Sequence, residues 1–278
     1  RFSSNAQWLA GVARRPVLGK FELSTSVGFR RFPVALGERR GAWSLDVSPD
    51  GKLIAAAYSD GVRLFDFATG REVAFQATDQ CRSVIFRPEG NQLVTCGPGG
   101  LGRWPIERGA SPAEVRLGPR ESIRDDKGLL YASMTGDGHW VAAADYKRDR
   151  VVVHEVNHPA NRFALTNHAD VQHVAFSPDG RWVASGTWHN RGVRIWDVAS
   201  RRLLKELPMG RAAAIFSPDS RLLVTSSDRI QVWEVGAWRE LYQAPKAIES
   251  EFVGLIVFSP DSRILATGRS RRWMQLLE

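Results

Sequence analysis

Residues Ala175–Gly186 read AFSPDGRWVASG, and the fold follows from what these residues do locally. An apolar run enters Ser177-Pro178-Asp179-Gly180, and a second one, Trp182-Val183-Ala184, leaves it. That is two strands joined by a tight turn. Pro178 presets φ, Asp179 can bond back to nearby backbone, and Gly180 can take a positive φ. The design recurs. Such turns begin at Ser3, Ser48, Arg87, Thr135, Ser177, Ser217 and Ser259, at spacings of 45, 39, 48, 42, 40 and 42 residues. Ser-Pro-Asp is kept at Ser48, Ser177, Ser217 and Ser259, while Arg87 opens RPEG and Thr135 opens TGDG.

Further strands follow each turn. Val193–Val198, Val62–Asp66 and Ile230–Glu234 alternate in the manner of half-buried strands. A short turn then leads to a fourth strand, as in Glu72–Phe75 and Leu203–Leu207. Four short strands per roughly 42 residues is the pattern of a propeller blade. One blade cannot bury both faces, so blades must stack on neighbours. The expectation is an all-β propeller of about seven four-stranded antiparallel blades, with the first and last incomplete. A single domain over residues 1–278 is expected.

The residues VAFSPDGRWVASG…GVRIWDVAS at Val174–Ser200 resemble the WD-repeat family, as do LDVSPDGKLIAAAYSDGVRLFDFATG and AIFSPDSRLLVTSSDRIQVWEV. The resemblance covers nearly the whole chain. It implies a hydrogen-bond relay between strands, but a Gly-His dipeptide is missing before the first strands. Only His168, after Asn167, comes near it. Trp-Asp stands once, at Trp196-Asp197, so the relay is expected to be incomplete in most blades. The SPDG-rich style is similar to bacterial WD-repeat regions such as those attached to serine/threonine protein kinases.

Phe2–Ala10 falls on Phe176–Ala184 as a worn copy, so the chain opens inside a unit whose first strand is cut short. Arg271–Glu278 reads as the third strand of the last unit. The chain therefore reads as a window from a longer polypeptide.

Composition adds bounds. The chain has 278 residues, 43% hydrophobic and 24% charged, as soluble globular domains do. No run approaches the roughly 18 apolar residues of a membrane span, and no membrane contact is expected of this region. The net charge of +8 permits a polyanionic partner without demanding one. Cys81 and Cys96 are the only cysteines, so no disulfide framework is implied. A reducing, cytoplasmic setting fits, whether or not the parent is membrane-anchored.

Several motifs tempt. Gly97–Gly102 matches G-x-G-x-x-G, but a dinucleotide site needs a helix next, and Pro105 would interrupt one. It reads as the turn between two strands. His154 and His158 diverge between a strand and its following turn, and no histidine cluster has zinc spacing. Counting outward from the Pro88–Asn91 turn sets Cys96 opposite Ser83, not Cys81. Trp182, Trp196 and Trp233 recur at blade positions and read as core. No catalytic residue, cofactor or metal ligand is assigned.

Loops between second and third strands, and between blades, emerge together. That face gathers cations and carboxylates in mixture, which suits a protein or peptide partner better than a nucleic-acid stripe. GTWHNRG inserts Trp188, His189 and Arg191 into one such loop, and DYKRDR brings Tyr146 and Arg148 to another. With Arg14, Arg15, Arg269, Arg271 and Arg272, these are the expected partner-binding residues. The expected function is a non-catalytic interaction scaffold, the docking or sensing region of a larger bacterial regulatory protein. A kinase-attached region, a propeller enzyme and a nucleic-acid binder are the alternatives.

Overall fold

A computed structural model describes residues 8–13, 17–22, 29–33, 42–109, 114–125, 127–189, 191–245, 256–268 and 274–277. The described elements are all strands, and they divide between two compact units, residues 1–128 and 129–278. Among the described residues, no helix is long and apolar enough to cross a membrane.

Unit one holds three antiparallel sheets. Blade 1 is β1 (Trp8–Ala13), β2 (Val17–Glu22) and β3 (Phe29–Pro33). Blade 2 is β4 (Ser44–Val47), β5 (Leu53–Tyr58), β6 (Gly61–Asp66) and β7 (Glu72–Ala77). Blade 3 is β8 (Ser83–Phe86), β9 (Gln92–Gly97), β10 (Gly100–Arg108), β11 (Val115–Leu117) and β12 (Glu121–Arg124). Its fourth position is split: β11 and β12 both pair with β10, separated by Gly118-Pro119. Proline lacks the N–H a continuous ladder needs.

Unit two holds four sheets, each paired in sequence order. Blade 4 is β13 (Leu129–Met134), β14 (Trp140–Asp145), β15 (Arg150–Glu155) and β16 (Arg162–Thr166). Blade 5 is β17 (Val171–Phe176), β18 (Trp182–Thr187), β19 (Val193–Asp197) and β20 (Arg202–Leu207). Blade 6 is β21 (Ala213–Phe216), β22 (Leu222–Ser226), β23 (Arg229–Glu234) and β24 (Arg239–Pro245). Blade 7 shows β25 (Ile256–Phe258), β26 (Leu265–Gly268) and β27 (Met274–Leu277). The sheets are propeller blades of the expected four-stranded antiparallel type. Blades 1 and 7 show three strands among the described residues, and the predicted Ser3 turn lies outside them.

The Ser-Pro-Asp turns explain themselves atom by atom. Ser177 Oγ donates to Asp179 Oδ1 at 2.6 Å and accepts the Trp182 amide at 2.9 Å, while Asp179 Oδ1 accepts the Arg181 amide at 3.1 Å. The Gly180 amide closes onto the Ser177 carbonyl at 2.9 Å, with φ +75° at Gly180. Ser48, Ser217, Ser259 and Thr135 repeat the serine-to-aspartate bond with Asp50, Asp219, Asp261 and Asp137. The leading hydroxyl is thus the residue that spans the turn, a role the sequence reading left to Pro and Asp.

Apolar layers form between neighbouring blades. Leu53, Leu64, Val84, Leu93 and Trp104 join blades 2 and 3. Ala142, Val151, Phe176, Val183 and Trp196 join blades 4 and 5, and Ala184, Ile195, Leu207, Leu223 and Trp238 join blades 5 and 6. Each fully buried Val, Leu or Ile contributes about 1.5–3 kcal/mol. The second strands are covered on both faces, so β5 and β18 are buried along their whole length. Small residues let neighbours approach there: a Cβ on Gly186 would meet the Ala212 carbonyl oxygen.

The alternation expected of third strands is weaker than the sequence suggests. Residues 61–65 of β6 are all buried: Val62 and Leu64 pack toward blade 3, while Phe65 on the other face packs with Ile54 and Tyr58 of its own blade. Arg63 is among them, bidentate to Asp60 at 2.8 and 2.9 Å and stacked 4.1 Å over Phe75. Exposure moves to the fourth strands, where residues 202–206 of β20 are all exposed.

Candidate docking face of blades 4 to 6

The loop face of unit two is built on a hydrogen-bond relay in blade 5. Trp196 Nε1 donates to Ser185 Oγ at 2.9 Å, and His168 Nδ1 lies 2.7 Å from the same oxygen. The chain thus ties third strand, second strand and the loop before the first. Two shorter versions occur: Trp104 Nε1 to Thr95 Oγ1 at 2.8 Å in blade 3, and Trp233 Nε1 to Thr225 Oγ1 at 3.1 Å in blade 6. Trp104 stands outside any Trp-Asp dipeptide, so the sequence motif does not single it out.

Over this relay lies a concavity of about 540 Å³. Three segments wall it: Arg148, Asp149 and Arg150 from the β14–β15 turn, Thr166 to Ala169 from the β16–β17 loop, and Arg191 and Arg194 beside β19. The segments brace one another. The His168 amide donates to the Asp149 carbonyl at 3.1 Å, the Asp170 amide donates to Asp149 Oδ1 at 2.8 Å, and Arg194 Nη1 donates to the Asn167 carbonyl. Asp149, Asn167 and Asp170 take left-handed backbone at φ 50°, 69° and 58°, where Asn and Asp are tolerated.

Charge in the concavity is partly balanced. Buried Asp145 faces Arg148 at 3.2 Å and Arg150 at 3.1 Å, and Glu206 holds Arg194 at 2.6 Å. His168 is 1% exposed. Burial, with the Arg194 guanidinium adding repulsion, pushes it down to about 4, partly offset by the Arg191 backbone. His168 Nε2 is buried on the side where that backbone lies.

Beside the concavity runs a stack of rings. Tyr131 stacks on His173 at 5.1 Å, His173 on Trp188 at 6.4 Å, and the Arg211 guanidinium lies 4.7 Å over Trp188. Trp188 is therefore half-buried, folded over its own blade and capped from blade 6. Asp170 Oδ2 fixes the loop by accepting the Trp188 amide at 3.1 Å and the His189 amide at 2.7 Å. Burial opposes the charge on Asp170, but these donors, with Gln172 and the His189 ring, outweigh it and hold the carboxyl below its usual range.

Of the expected partner residues, Arg148 and Arg191 meet in the concavity. Tyr146, 40% exposed, stands on the same turn as Arg148. His189 is exposed and bound to Asp170. Arg14, Arg15, Arg269, Arg271 and Arg272 lie outside the described residues. Arg150, Arg194 and the Tyr131–His173 stack were missed, since strand alternation made them ordinary polar positions. The G-x-G-x-x-G stretch is the β9–β10 hairpin, as read. Ser83 faces Cys96 in register, and both cysteines are free and buried. His154 is buried against the Pro159 carbonyl while His158 is exposed on Glu155.

The WD40 family, described as WD domain, G-beta repeat, matches residues 35–66 and 160–197. The chain is 28% identical over 208 residues to Ribosome biogenesis protein BOP1 of Homo sapiens, covering 74% of this chain and 26% of that protein. It is 35% identical over 100 residues to an uncharacterized WD repeat-containing protein of Synechocystis, covering 34% of this chain and 28% of the relative. It is 28% identical over 222 residues to the Protein LST8 homolog of Drosophila melanogaster, covering 71% of this chain and 67% of that protein. The chain thus spans about a quarter of the human relative's length. The repeats, their turns and these matches together support the WD40 repeat family for this chain.

Proposed function

We propose that this region is a non-catalytic scaffold that docks a protein or peptide on the loop face of blades 4 to 6. The observation carrying this reading is the juxtaposition, on braced loops, of an arginine-lined concavity and a half-buried aromatic stack capped by Arg211. Aromatic and arginine side chains dominate protein-binding hot spots, and WD repeats mediate protein interactions. The mixture of cations with Asp149, Asp170 and Glu206 favours a protein over a uniform polyanion.

The finer reading is a docking or sensing region of a larger bacterial regulatory protein, working in the cytoplasm. The Ser-Pro-Asp-Gly turns and the Synechocystis relative support a bacterial setting, and a kinase domain elsewhere in the parent chain is the alternative form. The gene's flanking sequence tests that form directly.

A photo-crosslinking phenylalanine analogue placed at Tyr146, in the full polypeptide in its host, tests the docking face. A discrete protein adduct from position 146, absent when the analogue replaces Asp219 on the opposite, turn-bearing end of the strands, is expected. Adducts from neither position, or equal adducts from both, overturn the proposal.

A further inference from the structure

The concavity asks for a specific chemistry. Its walls bring Arg148, Arg150, Arg191 and Arg194 to one space, with Asp149 the only carboxylate among the described lining residues. Guanidinium groups match carboxylate and phosphoryl oxygens bidentately. Asp145 and Glu206 engage three of the four arginines from behind and beside, which orients them without cancelling the fourth.

His168 fixes one wall from below. Its Nδ1 lies 2.7 Å from Ser185 Oγ, the oxygen that accepts the Trp196 indole N–H, and the Arg191 backbone bears on the same ring. The relay thus sets where the 166–169 loop and Arg191 stand, and the polar groups that reach the open space are the guanidinium groups.

We propose that the concavity between the 148–150 turn, the 166–169 loop and Arg191 is a subsite for an oxyanion carried by the docked peptide, held by the arginines. This rests on the docking reading and specifies it. The shared chemistry is an oxyanion on a peptide, whether a side-chain carboxylate or a phosphoryl group.

Three fluorescein-labelled probes test it by anisotropy: hexaglutamate, a glycine–serine hexapeptide bearing two phosphoserines, and hexaglutamine. At least one anionic peptide is expected to bind while hexaglutamine does not. Whichever anionic probe binds tighter identifies the oxyanion source. The double variant Arg148→Gln with Arg191→Gln should weaken binding at least about tenfold, as loss of two charge-assisted contacts implies. Arg181→Gln with Arg221→Gln, exposed at the opposite turns, should not. Titration should also shift the Arg191 side-chain Nε–H resonance while leaving that of Arg221 in place, a separation that general charge attraction does not produce. No binding of either anionic peptide, equal losses in both double variants, or an unmoved Arg191 signal overturns the proposal. A position-146 adduct that persists in the Arg148/Arg191 variant, together with any of those results, fails the subsite and leaves the docking face standing.

Discussion

Ser185 takes the indole proton of Trp196 at 2.9 Å inside a strand whose six residues are all buried. The same oxygen serves His168. One small hydroxyl therefore satisfies two large side chains. Ser185→Ala leaves both the Trp196 N–H and His168 Nδ1 without a partner, and should cost about 1–3 kcal/mol. Thr225→Ala should cost less, about 0.5–1.5 kcal/mol, because Trp233 is only half-buried and its N–H can reach water. Urea unfolding midpoints read both. Equal losses would show that the relay adds nothing beyond a single bond.

Ser220 and Ser262 depart from the Gly that Gly51 and Gly180 supply at the same place, yet take φ +60° and +62°. The reason is a bond between turns of neighbouring blades. The Asp179 amide donates to Ser220 Oγ at 3.1 Å, and the Asp219 amide to Ser262 Oγ at 3.2 Å. Ser220→Ala loses that bond and keeps the left-handed backbone. Ser220→Gly loses the bond but relieves the backbone, a difference of about 1–2 kcal/mol. The Gly variant should therefore unfold at higher urea than the Ala variant. The reverse order would contradict the backbone assignment.

The blades were legible because their turns are local chemistry. A hydroxyl, a proline, an aspartate and a glycine at consecutive positions close one geometry wherever they occur, and apolar runs on either side name the strands. Burial was less legible. The period of two at Val62–Asp66 predicts one wet face, but Phe65 is buried there among Leu45, Ile54 and Tyr58 and Arg63 is held by Asp60 and Phe75, pairings that alternation alone does not report. The docking face was half legible for the same reason. Arg148 and Arg191 announced themselves as loop charges, whereas Arg150 and Arg194 looked like ordinary outward strand positions. Their convergence depends on the β16–β17 loop passing between two hairpins. His168 was visible only as the remnant of a dipeptide.

Trp188 sits between His173 and Arg211 with its loop tied to Asp170. Trp188→Ala should cost about 0.5–1.5 kcal/mol, the scale of a stacking contact beyond its area, plus the lost cover over His173. Trp196→Ala, which empties a core position 5% exposed, should cost about 3–5 kcal/mol. Comparing the two urea midpoints separates loop from core. A Trp188 loss as large as that of Trp196 would move Trp188 into the core and out of the docking face.

Acid should weaken unit two through its buried histidines before its aspartates respond. Burial lowers His168 and His173 to about 4 in the fold, against 6.5 for an ordinary histidine. His173 keeps part of its surface exposed, but its Nε2 is enclosed. Above pH 6.5 both rings are neutral folded or unfolded and stability is insensitive to them. Between 6.5 and about 4 the unfolded chain binds protons that the fold refuses. Stability then falls by about 1.4 kcal/mol per pH unit for each ring, and levels off below about 4. The turn carboxylates act lower. Asp219 and Asp261 are held below the usual carboxylate range, Asp219 by its hydroxyl and amide donors against opposing burial, Asp261 by the Ser259 hydroxyl and the Arg263 amide. Their contribution is present above the unfolded pKa and is lost only as pH falls through the lowered folded values. Urea midpoints measured from pH 7.5 to 4 should decline below about 6.5, and His168→Gln should shallow that decline by about one proton's worth. A flat profile, or a slope unchanged in the variant, would mean that His168 is reached by solvent and is not the sealed end of the Trp196–Ser185 relay.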